Sequence, residues 1–180
     1  MKTLYESILS STGSGMTATT LNNFAKYFKD IIDDNGRCTG PGIQDVYIPG
    51  DMYTTRLERR LEYALKIQFP RSKHRTRVTQ VVKILQKSGY KSVYDTEERY
   101  YACDFSLSNV KPFIYYRPLE NHLNIYWDNI VFKIGEVNVV FVFVKEPKSA
   151  HTVLYVYALN PDGTESESTI NKLKKLIPQK

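Results

Sequence analysis

Ile130-Val-Phe-Lys-Ile134, Gly135-Glu136 and Val137-Asn-Val-Val-Phe-Val-Phe-Val144 are two apolar runs meeting at a two-residue joint. Both runs are short and rich in β-branched and aromatic residues, and a Gly at the joint is a tight-turn signal. The stretch therefore predicts an antiparallel hairpin. Val139 to Val144 is apolar at every position, which predicts a central strand covered on both faces. Downstream, Val153, Tyr155, Tyr157 and Leu159 alternate, and Asn160-Pro-Asp-Gly163 is a turn. A short terminal helix follows, with Ile170, Leu173 and Ile177 facing the sheet. Upstream, Tyr101, Cys103, Phe105 and Leu107 alternate, as do Leu123, Ile125 and Trp127. The reading is an antiparallel sheet of about five strands.

The period changes in the first half. Leu21, Phe24, Ala25, Phe28, Ile31 and Ile32 recur at helical spacing, with Thr17 to Thr20 to cap the start and Asn35-Gly36 to end it. A Gly- and Pro-rich loop spans Arg37 to Gly50, with Asp45-Val-Tyr-Ile48 as a short strand within it. A second helix is predicted from about Thr54 to Ile67, burying Leu57, Leu61, Ala64 and Leu65 and closed by Phe69-Pro70. A third runs from about Thr76 to Lys87, burying Val78, Val81, Val82 and Leu85, with Gly89 just past its end. Helices segregated before hairpin-linked strands define an α+β fold. Residues 17–180 read as one domain, with a helical half (17–90) and a sheet half (91–180).

The first sixteen residues stand apart as a leader and hinge. Met1-Lys-Thr-Leu-Tyr-Glu-Ser-Ile-Leu-Ser-Ser-Thr-Gly-Ser-Gly15 is a short amphipathic peptide ending in a Ser/Thr/Gly joint. It resembles a leader shared by many otherwise unrelated proteins of gut Bacteroidales phages, including the crAss-like group. That resemblance implies a phage accessory protein, placed in the host cytoplasm or in a virion. Ser10 to Thr17 imitates a phosphate-binding loop, but Met16 stands where the loop needs a Lys charge on the β/γ oxygens. Glu6 and Ser7 interrupt any secretory apolar core, and no stretch approaches the ~20 apolar residues that span a bilayer. Cys38 and Cys103 form no metal-ligand spacing and no disulfide framework.

Charge is the most uneven feature of the body. The chain carries a net +6, yet no acidic residue lies between Glu62 and Asp95. Lys66, Arg71, Lys73, Arg75, Arg77, Lys83, Lys87 and Lys91 all fall inside that gap, while the other 17 basic residues face 19 acidic ones. An acid-free basic block is the footprint expected of phosphate contacts. These eight residues are the predicted anion-binding set, for nucleic acid first and an acidic protein surface second. His74, in the Pro-Arg-Ser-Lys-His-Arg-Thr-Arg loop, reads as exposed.

The order of second helix, loop, third helix and hairpin about Thr96-Glu-Glu98 resembles a winged-helix arrangement, which would send the third helix into a major groove. The long Gln68–Arg75 connection and the acidic hairpin tip depart from that pattern.

Catalytic signatures are sparse. His122 and His151 neighbour no nucleophile elbow, and no H-E-x-x-H occurs. Asp128 and Glu136, with Lys133 or Lys145, are the one loose nuclease-like set, converging on Mg²⁺. It resembles the restriction-endonuclease core, but Glu136-Val137-Asn138 lacks the Lys of an E-x-K.

The expectation is a non-enzymatic protein, without cofactor or membrane contact, that binds a polyanion through residues 66–91. The main alternative is a virion structural or protein-interaction module, docking to copies of itself or to another virion component. The 14 tyrosines would supply its docking surface on the sheet. The remote one is a metal-dependent nuclease.

Overall fold

The predicted hairpin forms the middle of the sheet, in a computed structural model that describes residues 18–47, 58–89, 91–93, 113–120, 126–145 and 148–179. Strands β5 (Tyr126–Ile134) and β6 (Val137–Lys145) pair antiparallel from Tyr126↔Lys145 to Ile134↔Val137. Gly135 takes a φ of 62°, as the first loop position of a type II′ turn requires. On β6, Val139, Phe141 and Phe143 join the main core while Val140, Val142 and Val144 are buried on the other side. The doubly covered central strand is thus observed.

Around it, among the described residues, the sheet extends to seven strands in the order β1-β2-β7-β6-β5-β4-β3. Those not yet introduced are β1 (Arg37–Tyr47), β2 (Glu58–Pro70), β3 (Lys91–Val93), β4 (Phe113–Glu120) and β7 (His151–Leu159). Every pairing is antiparallel except β3 with β4. After β7, Gly163 donates its N–H to the Asn160 carbonyl at 2.9 Å and takes a φ of 87°, closing the expected turn.

Among the described residues, three α-helices complete the α+β fold: α1 (Ala18–Asp33), α2 (His74–Lys87) and the short C-terminal α3 (Glu167–Lys174). Their apolar faces share one core with one face of the sheet, including Phe24, Phe28, Val81, Leu85, Ile170 and Leu173. Phe24 lies nearly parallel to Phe132 of β5, with ring centroids 5.9 Å apart and planes 10° apart. Asn35, at φ 66°, turns the chain left-handed after α1, and the Gly36 N–H returns to the Ile31 carbonyl at 2.8 Å. This is the stop that Asn35-Gly36 predicts.

The helix expected over Thr54–Ile67 is instead strand β2 over its described part, and much of the loop expected over Arg37–Gly50 is strand β1. Leu61, Ala64 and Leu65 satisfy a helical period, but Leu61, Leu65, Ile67 and Phe69 also satisfy an alternating one. Local pattern left both open. Backbone pairing with β7 on one side and β1 on the other selects the strand. With its first helix a strand, the winged-helix order does not exist. The leader Met1–Gly15, the Tyr101–Leu107 and Leu123–Ile125 strand segments, the Thr96–Glu98 tip and Cys103 lie outside the described residues.

The β1–β2 register slips between Thr39↔Lys66, Gly42↔Ala64 and Gln44↔Leu61. Between the last two pairs one residue of β1, Ile43, faces two of β2, so Glu62-Tyr63 bulges and Leu61 and Ala64 share a face. The Glu165 carboxylate takes up the bulge, accepting the Glu62 N–H at 2.8 Å and the Tyr63 N–H at 3.0 Å.

Candidate polyanion-binding ridge

Helix α2 carries the centre of the basic block, and its burial pattern sorts the charges. His74, Arg77, Val78, Val81 and Leu85 are buried. Arg75, Thr79, Lys83 and Lys87 are all exposed and recur every four residues. Four residues advance a helix about 6 Å, so these side chains form one ridge roughly 18 Å long. Arg75, Lys83 and Lys87 have no carboxylate partner among the described residues.

Helix α1 runs antiparallel beside this ridge. Thr20, near the start of α1, hydrogen-bonds Ser88 just past the end of α2. At the other end, the Tyr27 hydroxyl donates to the Arg77 carbonyl at 3.0 Å. Between the helices lies a shallow groove of about 210 Å³, lined by Gln80, Lys83 and Lys87 from α2 and by Asn23, Lys26 and the acidic Asp30 from α1, with Tyr27 and Ile84 completing it. Lys26 shares its charge with Asp30 at 3.6 Å on the same helix.

The other predicted site residues do not join this ridge. Arg77 is buried, donating to the Asp34 carboxylate at 3.3 Å and to the Gln80 side-chain oxygen at 3.1 Å. Lys73 shares Asp34 at 4.0 Å. Arg71 is tied to the loop before β7, its backbone N–H reaching the Ala150 carbonyl at 3.0 Å and its guanidinium the Ser149 carbonyl at 3.3 Å. Lys66 alternates with Leu65 and Ile67, which face the helices, and so points to the opposite side of the sheet. Lys91 lies on β3, the strand at the far edge from β1. The gap in acidic residues along the chain is thus partly filled in space.

His74 is buried, contrary to its reading as an exposed loop residue. Its Nε2–H donates to the Asp128 carboxylate at 2.6 Å, and its Nδ1 lies 3.0 Å from the Thr152 hydroxyl. The ring meets Phe143 edge-on at 6.1 Å. Asp128 is therefore engaged by a histidine and not by a second carboxylate. Glu136 sits in the turn beyond the opposite end of β5, and the six strand steps from Asp128 to Ile134 alone cover roughly 20 Å. That separation removes the nuclease-like pair. Among the described residues, no three His, Cys, Asp or Glu side chains gather as a metal site, and no helix is long and apolar enough to cross a membrane.

Sequence reasoning missed Lys26 and the acceptor Asp34. The helical period already placed Lys26 on the outer side of α1, but nothing local signals that this helix lies beside α2. Comparisons with protein-family models, with curated proteins and with solved structures found no match.

Proposed function

We propose that the protein is a non-enzymatic accessory factor that binds a polyanion, nucleic acid above all, along the α2 ridge and the adjoining groove. The observation that carries this reading is the alignment of Arg75, Lys83 and Lys87 on one exposed stripe with no compensating carboxylate among the described residues. A stripe of like charge attracts an extended anion and gains from the counterions it releases. The leader's likeness to Bacteroidales phage proteins fits an accessory role in an infected cell or a virion.

Docking through an open Tyr-rich sheet receives less support. Tyr157 is fully buried, Tyr155 is half-buried, and Val140 and Val142 on the same side are buried too.

The test is binding to fluorescent single- and double-stranded DNA and RNA across a salt series. Three phosphate contacts on a duplex imply about a 40-fold loss of affinity between 50 and 200 mM salt. Arg75→Gln/Lys83→Gln/Lys87→Gln should abolish binding, while Arg71→Gln and Lys73→Gln should leave most of it. Salt-insensitive binding, or binding retained by the triple variant, overturns the assignment.

A further inference from the structure

Away from the ridge, a cleft of about 900 Å³ opens where the end of α1, the start of β1 and the end of α3 meet. Arg37 and Lys174 line it, together with Cys38, Ile32, Pro178 and Gln179, and no acidic side chain appears among the described residues that line it. Neither cation has a carboxylate partner among the described residues. Among the described residues, the Lys174 ammonium donates to the Cys38 sulfur at 3.7 Å, a weak acceptor.

Arg37 and Lys174 border one cleft and, among the described residues, are met by no counter-charge, whereas Asp34 serves Arg77 and Asp30 serves Lys26. Burial raises the Cys38 thiol above its ordinary value, against the lowering pull of Lys174, so the sulfur stays neutral and offsets none of the charge. The glycines in the wall do not bear on a ligand. A Cβ on Gly36 would meet the Ile31 carbonyl oxygen at 2.4 Å, and one on Gly40 the Ala64 carbonyl oxygen at 2.7 Å, so backbone packing accounts for both. What remains for a ligand to satisfy is the pair of charges and the apolar wall of Ile32 and Pro178.

We infer that this cleft is a binding site for a small organic anion, whose phosphate or carboxylate group lies between Arg37 and Lys174 and whose body rests on Ile32 and Pro178. The volume exceeds what a lone oxyanion needs and falls within the ~300–1,000 Å³ of small-molecule sites. This site is independent of the α2 ridge, which offers an exposed stripe to a long polymer.

Cys38 provides the readout, because it lines the same cleft. The full-length protein is treated with iodoacetamide, which is uncharged, and the modification of Cys38 is followed by peptide mass spectrometry. Metal-free ATP is the phosphate probe, citrate the carboxylate probe, and adenosine the neutral control. At least one anion should slow the Cys38 reaction tenfold or more in a saturable manner, and adenosine should not. Arg37→Gln and Lys174→Gln should each remove the protection while keeping the thermal midpoint of the parent protein. Lys83→Gln/Lys87→Gln should leave it intact, which separates failure here from failure of the ridge. Absence of protection by both anions at low salt overturns the site, as does equal protection in the Arg37 and Lys174 variants.

Discussion

His74 shows how a single side chain acquires its role from distant residues. It begins α2, yet its partners are Asp128 on β5 and Thr152 on β7, 54 and 78 positions away. A hydroxyl can accept or donate, so the Thr152 contact serves either protonation state of the ring. Replacing His74 with Ala strands a largely buried carboxylate, and a loss of about 2–3 kcal/mol in urea denaturation is expected. Asp128→Asn should cost less, because the amide oxygen still accepts from Nε2–H. Tyr27 is a second case. Burial raises its hydroxyl far above the ordinary 10.0, with Arg77 pulling it back only in part. The folded state thus holds the proton longer than the unfolded state, and the contribution to stability is complete below pH 10.0 and declines as pH rises beyond it. Tyr27→Phe should flatten that alkaline decline in a pH series of denaturation midpoints, while losing the hydrogen bond to Arg77 at neutral pH.

At the scale of elements, β2 is the informative piece. A strand that bulges loses ladder partners for its extra residue, and buried or crowded N–H groups without partners are costly. Glu165 meets that need with both carboxylate oxygens. Glu165→Gln puts an amide N–H₂ against one of the two donors. Faster hydrogen exchange at the Glu62 and Tyr63 amides should follow, with a stability loss of about 1–2 kcal/mol. Unchanged exchange at both amides would show that the carboxylate does not hold the bulge. In α2 the burial of Val78, Val81 and Leu85 was legible from period alone, while that of His74 and Arg77 was not. Nor was the partner of the ridge, because the arrangement of α1 beside α2 rests on contacts such as Tyr27 to Arg77, 50 positions apart.

For the whole molecule, the described core starts at Leu21 and reaches Ile177, drawing on all three helices and the central strands. Deleting residues 1–15 should therefore leave the thermal midpoint within a few degrees of the parent, whereas a fall of ten degrees or more would show that they contribute to the core. The ridge variant Arg75→Gln/Lys83→Gln/Lys87→Gln should also keep its midpoint, since all three side chains are exposed and unpaired within the described residues. Arg77→Gln should not, because it leaves Asp34 without its buried guanidinium partner. This contrast separates charge that binds from charge that holds the fold.

Wherever one structural period ran without a competitor, the chain's own pattern was decisive. The β5–β6 hairpin, the turn at Asn160–Gly163, α1, α2 and α3 each rest on contacts close in sequence or on a single unambiguous face. Three matters were settled only in three dimensions: whether Glu58–Pro70 is helix or strand, which basic residues stay uncompensated, and where His74 lies. The physical reason is common to all three. Backbone pairing with β7, the carboxylate of Asp34 and the carboxylate of Asp128 are supplied from remote positions, and a local pattern carries no record of which remote groups the chain brings near.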